Sequence, residues 1–213
     1  TMQLALPPMQ TAISKRQLLA IIFAVIVWLA AIGFGMAWLV DYEFTAGVSS
    51  LPPRQWPEES AIEVDPRLPT LVLIAHPHCP CTRASLSELE RLLARNQGKT
   101  NTYIVFASPT EAEEQWSQTS LWETARAIPN VKVLVDSDLA ESQRFRILTS
   151  GHVVLYDANC NLQFSGGVTS SRGHAGDNLG IELLGKAINE GFSQAQIVPV
   201  FGCSLARNLQ DES

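Results

Sequence analysis

Residues 18–40 run for 23 positions without one charged side chain, and this run constrains the chain more than any other feature. Wound as a helix it would reach roughly 34 Å, against a bilayer hydrocarbon core of about 30 Å. The run therefore predicts a single membrane-spanning helix. A cleaved secretory signal is the competing reading, but signal peptides carry an apolar stretch of only about 7–15 residues, and no small-x-small cleavage site closes this one. Lys15 and Arg16 precede the run, and Asp41 and Glu43 follow it. The positive-inside rule then places residues 1–17 in the cytoplasm and everything beyond residue 40 outside, which in a bacterium is the periplasm. On a helical wheel Ala20, Ala24, Ala31 and Gly35 fall within about 60° of one another, a smooth strip on which a second membrane helix could pack. Ala and Gly are also simply frequent in membrane helices, and both explanations stand at this point.

Beyond the apolar run the chain carries 13 basic against 21 acidic residues. That balance argues against a nucleic-acid surface. Residues 41–69 hold Pro52, Pro53, Pro57, Pro66 and Pro69 without a sustained period, the pattern of an extended spacer in which Trp56 is the one obvious docking side chain. Residues 70–190 alternate short β-rich runs with helical patterns and predict a compact α/β domain. Strands are expected at 71–75, 103–107, 131–135, 153–156 and 162–165. Helices are expected after the cysteine motif, where Leu86, Leu89, Leu92 and Leu93 make an apolar stripe, and at 111–128, 139–145 and 181–189. Residues 191–213 read as a tail without regular period.

The chemistry-bearing residues cluster at the end of the first strand, in His76-Pro77-His78-Cys79-Pro80-Cys81. Cys79 occupies the expected N-cap of the following helix, with Pro80 at the first helical position, where a missing N–H costs nothing. The helix dipole there favours a thiolate, making Cys79 a candidate nucleophile and Cys81 its resolving thiol. Two other readings stay open. The pair could be inert, or His76, His78, Cys79 and Cys81 could ligate copper or zinc through their soft sulfur and imidazole donors. Six residues do not easily close a tetrahedral site, so further ligands must come from the same end of the sheet. The loop 171–178 returns to that end, which makes His174 a candidate base or ligand and Arg172 a candidate partner for a thiolate or an anionic substrate. His152 begins a strand at that end as well. Gly173 and Gly176 equally suit tight turning, with Asp177 or Asn178 capping the last helix.

Cys160 lies in the turn 158–161, at the opposite end of the sheet from Cys79. The tail carrying Cys203 follows a helix that must finish near that turn. Four cysteines in an oxidising compartment then suggest two disulfides, Cys79 with Cys81 and Cys160 with Cys203, although spacing alone does not establish connectivity. The apolar Cys203 segment could instead dock a partner.

The order strand, cysteine motif, helix, late hairpin and final helix resembles the thioredoxin-like fold over residues 66–190. His78-Cys79-Pro80-Cys81-Thr82-Arg83 resembles a one-residue contraction of the Trp-Cys-Pro-Pro-Cys-Arg motif of membrane-anchored periplasmic thiol oxidoreductases. Residues 145–157 resemble their strand after the active-site proline loop, and residues 157–167 their hairpin ending in a Gly pair. Among such proteins the likeness is greatest to the RedB-like ones of bacteria. The resemblance implies a central mixed sheet flanked by helices, plus one N-terminal transmembrane helix. It also implies thiol–disulfide exchange on protein partners, with no cofactor required. Two departures touch the chemistry. The motif is Cys-x-Cys, whose small disulfide ring should be strained and easily reduced. The position of the family's cis-proline falls on Gly151. Two further functions are therefore compatible with the sequence: a non-catalytic accessory subunit of a membrane redox or photosynthetic complex, held by its anchor, and a copper metallochaperone.

Overall fold

The computed structural model describes residues 14–109 and 115–205. They divide into a helical unit ending at Tyr42 and a folded unit from Glu43 onward. The first unit holds nearly all of α1 (Lys15–Phe44), which extends the expected 18–40 at both ends to take in its flanking charges. Ser14 starts it with a capping box: the Ser14 N–H donates to Gln17 Oε1 at 2.9 Å while the Gln17 N–H donates back to Ser14 Oγ at 3.3 Å. By length and composition α1 is sufficient to cross a membrane.

The folded unit is built on β1 (Thr70–Ala75), α2 (Cys81–Arg95), β2 (Asn101–Ser108), α3 (Ser120–Ala127), β3 (Val131–Ser137), α4 (Ala140–Arg144), β4 (His152–Tyr156), β5 (Leu162–Gly167), α5 (Leu179–Glu190) and β6 (Gln196–Ile197). Among the described residues these strands form one six-stranded sheet in the order β3-β2-β1-β4-β5-β6. β1, β2 and β3 are parallel, β4 runs against β1 and β5, and β6 is parallel to β5. The mixed sheet and its helices are the thioredoxin-like arrangement that the resemblance implies. β3 and α4 extend it on one side, and β6 on the other.

All six residues of β1 are buried because the sheet is covered on both faces. Their alternation sorts them into two cores. Leu71, Leu73 and Ala75 join Leu86, Leu89 and Leu93 of α2, Ala125 of α3, and Leu184 and Ile188 of α5. Val72 and Ile74 face the other way, with Val154, Tyr156, Phe145, Ile147, Ile62 and Leu205. Each fully buried aliphatic side chain stabilises the fold by about 1.5–3 kcal/mol relative to exposure, so the strand with two covered faces is the centre of the unit.

The second core includes residues from 41–69, the stretch expected to be an extended spacer. Trp56 packs edge-on against Phe145 and Tyr156, with ring centroids 5.0 and 5.2 Å away. The Tyr156 hydroxyl donates to Pro53 O at 2.8 Å, and Ile62 is buried. The proline-rich stretch is therefore the cover of one sheet face; a segment without a helical or strand period can still bury apolar side chains against a flat surface. The helix expected over 111–128 forms only as α3, with Thr119 extended at its N-cap. Residues 111–114 lie outside the described residues, as do 1–13 and 206–213. The tail, expected to be irregular, contributes β6, and this addition decides where Cys203 goes.

Candidate thiol site

The site forms where β1 ends. His76 follows the strand, and a turn closes from the Cys79 N–H to His76 O at 3.2 Å. The next turn, from the Thr82 N–H to Cys79 O at 3.1 Å, starts the helix. α2 begins at Cys81 with Pro80 as its cap at φ −62°, so Cys79 stands one residue before the N-cap position expected for it. Pro80 fixes that φ through its ring and needs no donor there.

Ser150 ties this corner to the loop before β4. Its Oγ accepts the His76 N–H at 2.8 Å and lies 3.0 Å from Thr82 Oγ1. The adjoining Gly151 explains the missing proline. Its φ is +85°, which a proline ring cannot reach, and its N–H donates to Ile74 O at 2.8 Å. A Cβ there would also meet Ser85 Oγ at 2.9 Å, so this loop is shaped for glycine.

Three sulfur atoms meet at the corner. The Sγ atoms of Cys79, Cys81 and Cys203 all lie within 4.8 Å of one another. Cys79 is buried, at 2% exposure, and the other two are half-buried. Hydrogen bonds from the Cys203 and Cys81 thiols, outweighing burial, hold the Cys79 thiol well below the ordinary thiol range. For Cys81 the contact with Cys203 pulls downward, but donation to Cys79, burial and the Cys79 charge together prevail and the net shift is upward. Cys203 is pushed up by donation to Cys79, then to Cys81, and by burial. The trio thus favours ionisation at Cys79, with the thiols of Cys81 and Cys203 as its donors. Cys79 is also among the residues that line an open groove, with Pro77, His78, Pro80, Arg83 and Thr119.

Cys203 reaches this corner because β6 reverses the expected course of the tail. α5 starts at the cysteine end of the sheet and finishes at the other end. β6 then runs parallel to β5 and carries the chain back. Contacts from the Val198 N–H to Ser165 O at 3.0 Å and from the Gly167 N–H to Pro199 O at 3.1 Å guide it. The expected Cys160–Cys203 disulfide is accordingly not formed. Cys160 sits in the hairpin turn at the far end of the sheet, with its carbonyl accepting the Trp56 N–H at 2.9 Å, and all four cysteines are free thiols.

The histidines do not join the sulfurs. His76 Nδ1 accepts the His78 N–H at 3.1 Å, and the His78 ring packs edge-on to Trp116 with centroids 4.4 Å apart. Burial lowers the His76 pKa, partly opposed by the Cys79 charge. The expected His76, His78, Cys79, Cys81 ligand set is therefore replaced, among the described residues, by three sulfurs. His174 is exposed and turns back on its own loop, with Nδ1 2.8 Å from Ser171 Oγ and 3.0 Å from Arg172 O. Asn178 caps α5 by accepting the Ile181 N–H at 3.0 Å. Arg172 fits its expected place more closely: its Nη1 donates to Gly202 O, beside Cys203, and its charge helps to lower the Cys81 pKa.

His152 opens β4 as a buried side chain, with Nε2 2.8 Å from Ser165 Oγ and Nδ1 without a partner. Burial lowers its pKa from 6.5 to about 4. Above pH 6.5 the ring is neutral in the folded and unfolded chain alike, and the stability is fully present. As pH falls towards 4 the unfolded chain takes up a proton that the folded one refuses, and stability is lost, by about 3 kcal/mol over that window. Urea unfolding in detergent, followed by tryptophan fluorescence at pH 7 and pH 4.5, should show the drop. The same pair of measurements on His152→Gln should show a smaller one; an equal drop would assign the effect elsewhere.

No family model and no curated protein matches the chain. Among solved structures it is similar to a hypothetical protein from Sinorhizobium meliloti 1021, at 14% identity and TM-score 0.53 over 76% of this chain and 93% of that one. It is also similar to an uncharacterized conserved protein from Geobacillus kaustophilus, at 17% identity and TM-score 0.50 over 76% and 92%. A secreted Mycobacterium tuberculosis disulfide oxidoreductase homologous to E. coli DsbE matches at 16% identity and TM-score 0.41, over 57% of this chain and 80% of that one. These likenesses are of fold.

Proposed function

We propose that this is a membrane-anchored thiol–disulfide exchange protein, with Cys79 as the nucleophile and proteins as its partners. The observation that carries the reading is the meeting of the Cys79, Cys81 and Cys203 sulfurs within 4.8 Å, beside a groove that Cys79 helps to line, with the other two thiols drawing the Cys79 pKa downward. A thiolate attacks disulfides and a thiol does not, so a depressed pKa at an accessible sulfur is the first requirement of such chemistry. α1 supplies the anchor in this reading, and the charges flanking it support a periplasmic folded unit, in a compartment where disulfide chemistry is sustained.

A second reading rests on the same three sulfurs. Their mutual approach within 4.8 Å suits a soft cation, copper(I) or zinc, and would make the protein a metal carrier. Both readings are tested on the full chain in detergent, equilibrated across a glutathione redox series and trapped by alkylation, with metal content measured in parallel. Thiol exchange predicts that Cys79 passes reversibly between thiol and disulfide at a defined ratio of reduced to oxidised glutathione. Stoichiometric metal that keeps all three thiols reduced across the series would replace it with the carrier reading. Thiols that stay reduced without metal would refute both.

A further inference from the structure

The chain's own tail pairs through its backbone with the loop that frames the site. The Ser150 N–H donates to Cys203 O at 2.8 Å and the Leu205 N–H to Leu148 O at 2.9 Å, and Thr149 and Ser204 form an antiparallel bridge. Val200 and Leu205 are buried, and the Gly47 N–H donates to Val200 O at 2.8 Å. Gly202 lies so close to Ser150 O that a Cβ would overlap it. Residues 199–205 are thus fixed in register, with Cys203 held against Cys79 by backbone pairing.

We infer that Cys203, and not Cys81, is the disulfide partner of Cys79. This rests on the exchange reading above and names its resolving thiol. The reason is geometric. The Cys79 and Cys81 sulfurs are near one another, but both sit on one short stretch of backbone, separated only by Pro80, which is fixed in the right-handed helical region at the head of α2. Closing a Cys79–Cys81 disulfide requires the Cβ vectors to converge, which means undoing the first turn of α2 and its bond from the Thr82 N–H to Cys79 O. Cys203 arrives on a separate segment, paired to residues 148–150, and its sulfur lies within 4.8 Å of the Cys79 sulfur, so closing that disulfide breaks no turn of α2.

The exchange then runs as follows. The Cys79 thiolate attacks one sulfur of a partner disulfide, forming a mixed S–S bond and releasing the partner's first sulfur as a thiolate. Cys203 gives its proton to that departing thiolate. The Cys203 sulfur attacks the Cys79 sulfur, forming the Cys79–Cys203 bond and breaking the mixed one, and the partner's second sulfur leaves as a thiolate. The partner disulfide gains two electrons and the Cys79–Cys203 pair loses two. The reverse sequence oxidises a partner dithiol. Cys81 stays reduced throughout, as a donor that keeps Cys79 ionised whenever it is free.

The test is non-reducing peptide mapping of the full chain in detergent along the glutathione series, for the parent protein and for Cys81→Ser, Cys203→Ser and Cys203→Ala. The expected result is a Cys79–Cys203 link in the parent protein. Cys81→Ser should keep that link, with the midpoint glutathione ratio moved by less than about tenfold. Both Cys203 variants should require a ratio at least about tenfold more oxidising to form any link at Cys79. A parent protein that links Cys79 to Cys81, or Cys81 to Cys203, overturns the inference while leaving thiol exchange in place. Absence of a link at Cys79 in every variant refutes the exchange reading itself. Mapping the parent protein decides the connectivity even where a Cys203 variant folds poorly.

Discussion

Cys79→Ser should abolish exchange with a model disulfide, lowering the rate by at least about a thousandfold, because the hydroxyl that replaces the thiolate is not ionised at neutral pH. The parent protein should also show a distinctive pH profile. An ordinary thiol with pKa about 8.5 loses about 80-fold in alkylation rate between pH 8 and pH 6 as its thiolate is protonated. Cys79, held well below that range by the thiols of Cys203 and Cys81, should lose almost none. Mass mapping of iodoacetamide adducts on each cysteine distinguishes the two behaviours. The variant has a further consequence. Without a thiolate at position 79 the Cys81 thiol loses an acceptor and a neighbouring negative charge, both of which raise its pKa, so Cys81 should alkylate faster in Cys79→Ser at a given pH. If Cys79 in the parent protein follows the ordinary 80-fold decline, the thiolate assignment is wrong.

Gly202→Ala should be the most damaging single methyl group in the tail. The added Cβ would overlap the carbonyl oxygen of Ser150, a backbone atom in the loop before β4 that cannot swing aside as a flexible side chain can. Overpacking of this kind costs about 1–3 kcal/mol when the structure adjusts. The available adjustment here is for residues 199–205 to leave their register. That would give up the backbone pairing of Leu148 and Ser150 with Leu205 and Cys203, and would expose Val200 and Leu205. Cys203 would move away from Cys79, whose pKa should rise because its largest stabilising donor is gone. Expected together are a loss of about 2 kcal/mol in urea unfolding, at least tenfold faster alkylation of Cys203, and a Cys79 profile that acquires pH dependence above pH 6. Unchanged Cys203 reactivity would show that the tail keeps its place, and that its register does not depend on a glycine at position 202.

The sequence was most legible where a signal is local. The uncharged run at 18–40, the strands at 71–75, 103–107, 131–135, 153–156 and 162–165, and the stripe of Leu86, Leu89 and Leu93 each follow from period and propensity. They reappear within a few residues as α1, the first five strands and the buried face of α2. The motif Cys79-Pro80-Cys81 at a strand-to-helix junction was equally readable, because Pro80 and the preceding apolar run fix that junction locally. Arg172 was placed near the cysteines by strand direction alone, and its contact with Gly202 O puts it there.

What only the tertiary structure decided is the make-up of the site. Nothing in the composition of residues 191–205 announces a strand, and β6 is a two-residue element held by its neighbour β5 and not by propensity. Without it the tail stays near the turn of Cys160, where the sequence reading paired Cys203. With it the tail crosses to the opposite end of the sheet and sets Cys203 beside Cys79 and Cys81. The same holds for residues 41–69, whose prolines hide no period yet whose Trp56 and Ile62 complete the second core. Local sequence fixes periods, caps and turns, because those depend on residues a few positions apart. Which thiol meets which depends on contacts across more than a hundred residues, and those are settled by what the finished sheet leaves uncovered.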